Sequence, residues 1–169
     1  PHHIPPTQVW LALDEVSDPH NLGALLRSAL FLGVDGIVVS EKNSAPLSPA
    51  VSKSSAGAME LLRVHSTRNL PKFLEAASEG GWQVVGAALE DSVLPSELDR
   101  SLPTMIVLGS EGAGLRTMVK RACDQLVRIP RTQSKAAAPA AGGVDCSELV
   151  DSLNVSVAGS LLLYALLRT

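Results

Sequence analysis

Short apolar runs alternate with helix-like segments along nearly the whole chain, and this alternation limits the fold more than any other feature. Gln8–Val16 places Val9, Leu11 and Leu13 on one side, and Gly36–Ser40, Glu60–His65, Trp82–Leu89, Thr104–Leu108 and Leu126–Ile129 repeat the short apolar form. Between them lie segments with helical periodicity. Asn21–Leu32 is closed by Gly33, Ala50–Met59 is rich in small residues, and Asn69–Glu79 carries Leu70, Phe73, Leu74 and Ala77 on one face. Arg116–Cys123 and Asn154–Leu167 complete the set. Strands joined through helices run parallel, and strands apolar on both sides are covered on both faces. The predicted class is therefore α/β: a mostly parallel sheet with helices on both faces. A chain of 169 residues suffices for one domain with a sizeable core. Leu, Val and Ala must build that core, because the chain is 46% hydrophobic but only 3% aromatic.

Composition narrows the function classes. The net charge is −3 and the pI is about 5.8, unlike the basic signature of a stand-alone nucleic-acid binder. Cys123 and Cys146 supply neither a disulfide framework nor zinc spacing, and point to a reducing compartment. The four histidines show no metal-ligand spacing. No signal peptide is visible. The apolar run Val155–Leu167 is shorter than the roughly 20 residues a membrane span needs. The start at Pro1 is read as the mark of an excised or processed piece.

Three runs carry the chemistry: Asn21-Leu-Gly-Ala-Leu-Leu-Arg27, Leu108-Gly-Ser-Glu-Gly-Ala-Gly-Leu115 and Ser152-Leu-Asn-Val-Ser-Val-Ala158. In the first, helical spacing sets Arg27 on a stripe with Gly23, Ala24, Leu30 and Phe31. Such an arginine either snorkels at a helix–helix contact or belongs to a site where a ligand or another subunit packs close. Asn21 also suits the N-cap of that helix. In the second, glycines follow an apolar strand and surround one carboxylate, Glu111. Glycines permit positive φ and close backbone approach. The run is neither a Walker motif nor a G-x-G-x-x-G fingerprint. In the third, Ser152 or Asn154 can cap the final helix, and Ser152, Ser156 and Ser160 recur every four residues, which allows close packing. That helix is apolar on nearly every side, as expected for one buried against both its own sheet and a partner.

In order and spacing, these runs resemble the three motifs of the SpoU (TrmH-like) branch of the SPOUT methyltransferases, over about Val9 to Leu167. The resemblance implies transfer of a methyl group from S-adenosylmethionine to a ribose 2′-hydroxyl of RNA, with S-adenosylhomocysteine as product and no metal. It implies a trefoil knot in the last third of the chain and a homodimer through the C-terminal helix. It assigns Arg27, Asn21, Glu111, Ser152 and Asn154 to the active site. It assigns cofactor contact to Leu108, Gly109, Gly114, Ile129 and Leu153, with Glu111 fixing Arg27 or the RNA. A guanidinium is a poor base, so the role preferred for Arg27 is orientation of a phosphate or hydroxyl, with a deprotonated arginine acting as a true base as the alternative.

The run Ser48–Glu60 resembles the segment found in organellar enzymes that methylate a guanosine ribose of large-subunit rRNA. This places the chain in a mitochondrion, with a chloroplast or bacterial cytoplasm as alternatives. Lys53 is either an RNA phosphate contact or a solvated side chain. The alternative functions are the same chemistry on tRNA and an inactive RNA-binding ribosome-assembly factor. The chain departs from the family in two ways. Residues 131–147 form a long Ala/Pro/Gly-rich loop where a short one is usual, and the N-terminal RNA-binding domain of many relatives is absent.

Overall fold

The structure is a computed structural model that describes residues 8–130 and 152–168. Six strands, β1 (Val9–Leu13), β2 (Gly36–Ser40), β3 (Val64–Thr67), β4 (Gln83–Ala87), β5 (Thr104–Leu108) and β6 (Gln125–Val127), form one sheet in the order β3-β2-β1-β5-β4-β6. Every pair is parallel, with Leu11 between Ile37 and Ile106 at the centre. The helices are α1 (Pro19–Leu32), α2 (Pro49–Ser54), α3 (Ala58–Leu61), α4 (Leu70–Glu79), α5 (Thr117–Arg121) and α6 (Val155–Arg168). The predicted class is observed.

Each central strand feeds two cores. Val9, Leu11 and Leu13 join Ile106, Leu22, Leu25, Leu26 and Leu163 on the face of α1 and α6. Ala12, Val38, Val84, Met105 and Val107 join Leu70, Leu74 and Val119 under α4 and α5 on the other. Burying a leucine stabilises the fold by about 2 kcal/mol, so Leu162, Leu163 and Leu166 firmly anchor α6. Close approach there depends on Gly159, where a Cβ would lie 2.5 Å from Leu108 Cδ1 and 2.6 Å from Leu25 Cδ2. At its other end α6 is capped by Arg100, whose guanidinium donates to the carbonyls of Leu166 and Ala165 at 3.2 and 3.0 Å.

The structure corrects several readings. The small-residue helix expected over Ala50–Met59 is two short helices, because Ala56 (φ 53) and Gly57 (φ 84) take left-handed conformations between them. The break moves β3 to Val64–Thr67 instead of Glu60–His65. The N-cap of α1 is Asp18 and not Asn21. Asp18 Oδ1 accepts from the His20 N–H at 2.9 Å, and Pro19 takes the first turn, where no N–H is needed. At Gly23 itself the close neighbour is the helix–helix alternative. The glycine admits α2 of the same chain, since a Cβ on Gly23 would fall 1.8 Å from Ser54 Oγ. Ser54 Oγ in turn donates to the Pro19 carbonyl at 3.1 Å. The 131–147 loop, Cys146 and the threading that would make a knot fall on residues 131–151, outside the described residues.

Candidate active site

The strand order reverses between β1 and β5. From their carboxyl ends, α1 leaves to one face of the sheet and α5 to the other. In open α/β sheets a crevice for ligands forms at such a switch point. All three sequence runs converge there.

The run after β5 is a closed turn. Ser110 and Gly114 exchange backbone hydrogen bonds at 3.1 and 3.0 Å, and Gly112 (φ 79) and Gly114 (φ 68) are left-handed. At Gly109 a Cβ would lie 2.1 Å from the carbonyl carbon of Gly114, so only glycine lets the turn close. Nothing lies within 4 Å of a Cβ at Gly112 or Gly114, so that rim of the turn faces open space. Glu111 stands exposed at the tip.

Asn154 joins the three runs. Its amide Nδ2 donates to Glu111 Oε1 at 2.6 Å and to Asn21 Oδ1 at 3.0 Å. Its Oδ1 accepts from the Ser156 N–H at 2.9 Å, the Ser156 hydroxyl at 2.6 Å and the Val157 N–H at 3.3 Å. Asn154 is therefore the cap of α6, and of the two candidates, Ser152 and Asn154, the second fills that role. Asn21 is buried and donates its own Nδ2 to Asp18 Oδ2 at 3.2 Å. A chain of carboxylate, amide, amide and carboxylate thus runs from Asp18 to Glu111. Every amide hydrogen and oxygen in it that bonds is fixed in direction.

The remaining candidates stand apart from this chain of bonds. Arg27 is exposed on α1, about 9 Å along the helix axis from Asn21, and makes no hydrogen bond or ion pair among the described residues. Glu111 meets Asn154 within the chain and does not meet Arg27. Ser152 and Leu153 are exposed just before α6, and Ile129 packs half-buried against the α1/α6 core. The side chain of Leu108 is buried and its carbonyl accepts the Asp14 N–H at 2.8 Å. Lys53 is exposed in the last turn of α2, next to the Ser54 that seats on α1. Ser160 Oγ bonds to Ser28 Oγ at 2.7 Å, so it ties α6 to α1.

Sequence reasoning passed over Asp18, Asp14 and Arg116. Asp18 carried a visible signal, an acid immediately before proline at a helix start. Asp14 is a buried carboxylate paired with Arg116, at 2.6 Å from Oδ1 to Nη2. Its hydrogen bond and charge hold the Arg116 guanidinium above its ordinary pKa. Burial pushes the Cys123 thiol up to about 12, which leaves it protonated and unsuited to nucleophilic chemistry. Among the described residues no group of three or more His, Cys, Asp or Glu could hold a metal ion, and no helix is long and apolar enough to cross a membrane.

Comparison with known proteins fits this geometry. The model of the SpoU rRNA Methylase family matches residues 8–137. The human protein "rRNA methyltransferase 1, mitochondrial" is 44% identical over 95% of this chain and 46% of its own length. The 23S rRNA (guanosine-2′-O-)-methyltransferase RlmB of Pseudomonas syringae is 37% identical over 98% of this chain and 67% of its own. The crystal structure of an AdoMet-bound rRNA methyltransferase from Sinorhizobium meliloti superposes with a TM-score of 0.80 at 28% identity, covering 99% of this chain and 58% of that one. The chain spans about half the length of the curated relatives it matches. With its three runs meeting at the switch point of a parallel sheet and the family model covering most of its length, the chain belongs to the SpoU rRNA Methylase family.

Proposed function

We propose that this chain is the catalytic domain of an S-adenosylmethionine-dependent RNA 2′-O-ribose methyltransferase acting on a guanosine of large-subunit rRNA, in a mitochondrion. The observation that carries the reading is the bonded set Asn21–Asn154–Glu111 at the mouth of the β1/β5 crevice. The names of the human and Pseudomonas relatives support the rRNA guanosine, and the AdoMet-bound Sinorhizobium structure supports the cofactor. Relatives named for mitochondria and relatives from bacteria are both similar to the chain, and the 44% identity to the human mitochondrial protein supports the mitochondrion.

The residues present suit that cofactor. The open rim at Gly112 and Gly114 offers backbone rather than side chains, and exposed Leu153 with half-buried Ile129 offers apolar surface for an adenine. Leu108 and Gly109 complete the cofactor side. Once bound, S-adenosylmethionine would supply an electrophilic methyl on a sulfonium and depart as neutral S-adenosylhomocysteine. The protein's share is positioning, the larger part of such a displacement when the leaving group is already good. Glu111 and Asn154, held by Asn21, fix one wall of the site. Ser152 lies at the same mouth. Arg27, with its planar fork uncommitted, orients an RNA phosphate and the attacking hydroxyl, whose proton leaves to solvent late, as the O–CH3 bond forms, and Lys53 adds a phosphate contact.

Calorimetry of the intact protein tests the cofactor. Binding of S-adenosylhomocysteine, unchanged by chelator, is the expected result, and no heat at millimolar ligand would overturn the assignment. An inactive assembly factor would bind RNA without methylating it. Mapping of 2′-O-methyl sites in rRNA and tRNA after depletion separates the rRNA reading from the tRNA one.

The active unit is a homodimer. Val157 (46% exposed), Leu161 (45%) and Tyr164 (55%) form an apolar stripe along α6, and Phe31 (85%) stands exposed on the neighbouring α1. Exposed apolar surface of this kind marks an interface, and a second copy would bring Arg27 toward the partner's site. Light scattering at micromolar concentration is expected to give twice the protomer mass, with Leu161→Glu returning the monomer. A wild-type monomer would remove the shared site.

A further inference from the structure

Asp14 follows β1 directly, and its side chain is 0% exposed. A buried carboxylate is unfavourable unless it is paired and hydrogen-bonded. Among the described residues, every side-chain bond it makes goes to one residue. Oδ2 accepts from the Arg116 backbone N–H at 3.1 Å, and Oδ1 accepts from Arg116 Nε at 2.8 Å and pairs with Nη2 at 2.6 Å. Arg116 Nη1 reaches Glu15 at 3.2 Å. The backbone N–H of Asp14 donates to the Leu108 carbonyl at 2.8 Å.

Leu108 enters the glycine turn and Arg116 follows it. Both ends of the turn are thus tied to one residue at the end of the neighbouring strand. Between them the Ser110–Gly114 pairing closes the turn on itself, and Glu111 at its tip meets Asn154 at 2.6 Å. Two other carboxylates at strand ends make an informative contrast. Asp35 accepts from Val9 N–H at 2.7 Å at the opposite end of β1, and Asp124 accepts from Val84 N–H at 2.8 Å. Both are exposed, so water meets their charge, and neither is bonded to a cation among the described residues. Asp14 is the buried one of the three, and its charge is met by Arg116, the residue that follows the glycine turn.

We infer that Asp14 and Arg116 are positioning residues, a buried clamp that sets the glycine turn so that Glu111 meets Asn154 and the turn's open rim faces the cofactor. The catalytic consequence rests on the function proposed above, whereas the clamp itself is a statement about the turn. The geometry needs the planar fork of arginine, because the same carboxylate takes a backbone N–H and two guanidinium nitrogens together. A pair that served only overall stability would be replaceable by apolar residues, and its loss would loosen the sheet evenly.

The test compares Asp14→Asn, Arg116→Lys and the pair-removed Asp14→Asn/Arg116→Gln with Asp35→Asn as the control for general destabilisation, all in the intact protein. The first readout is amide hydrogen exchange. Asp14→Asn is expected to speed exchange at Ser110 and Gly114 about tenfold more than in β2, with a smaller rise at Ser156 and Val157. Asp35→Asn should show no such excess. The second readout is S-adenosylhomocysteine affinity, expected to fall about tenfold in Asp14→Asn and no further in the double variant. Arg116→Lys should lose more than half as much protection at the turn as Asp14→Asn does. Exchange that rises evenly over the sheet, as in the control, would overturn the clamp. Should Asp14→Asn not fold, the same contrast is read from Arg116→Lys. Should the wild type fail to bind S-adenosylhomocysteine, the proposed function falls, and the exchange contrast still decides the clamp.

Discussion

Replacing Arg27 by alanine will lower methyl-transfer turnover by about two to three orders of magnitude, the loss typical of a removed transition-state donor, and will leave S-adenosylmethionine affinity within a few fold. The basis is positional. Arg27 is exposed and holds no partner among the described residues, whereas Asn21, Asn154 and Glu111 are bonded to one another without it. Removing its side chain should therefore change stability by no more than about 0.5 kcal/mol. The loss should fall on kcat, as for an interaction made mainly in the transition state. Arg27→Lys should rescue poorly, since an ammonium lacks the fork that holds a phosphate and a hydroxyl together. Single-turnover assays with labelled cofactor and RNA supply the measurement. Near-normal turnover in Arg27→Ala would return Arg27 to the status of a surface arginine.

The second large effect is expected at Gly109. Its missing Cβ would sit 2.1 Å from the Gly114 carbonyl carbon and 2.4 Å from the Leu115 nitrogen, and backbone on both sides cannot yield as a side-chain tip could. Gly109→Ala must open the turn, displacing Glu111 from Asn154, at a stability cost of about 3 kcal/mol. Cofactor binding should become undetectable at concentrations that saturate the wild type. Gly112→Ala is the matched comparison. It strains a φ of 79 but meets nothing within 4 Å, so about 1 kcal/mol is expected, with binding retained. Equal affinities for the two variants would show that closure of the turn does not matter for the cofactor.

The layered plan was readable because strand and helix periods differ, and because apolar runs such as Thr104–Leu108 end abruptly at glycine. The order of strands was not readable. Nothing local tells β5 to insert between β1 and β4. The three runs announced themselves by unusual residue types, yet their mutual contacts came only with the fold, as Asn154 bonding to both Asn21 and Glu111 illustrates. Gly23 shows a choice that the sequence left open. Its small size did signal close packing, but the neighbour is Ser54 of the same chain, and a one-dimensional pattern cannot say which surface arrives. Asp14 and Arg116 lie 102 positions apart, each ordinary in its own neighbourhood. The single hint was an acid at the end of an otherwise apolar strand.

The distance along the chain between Asn21 and Asn154 has a consequence for when the bonded set can first form. The two residues are 133 positions apart, and the second stands immediately before the last described helix. Chains emerge from the ribosome amino end first. A nascent polypeptide can pair β1 with β5 and close the glycine turn while α6 is still inside the exit tunnel. At that stage Glu111 has no amide to meet, and the groove between Leu25 and Leu108 that receives Gly159 stands empty. The bonded set Asn21–Asn154–Glu111 is thus completed only after α6 has emerged and docked.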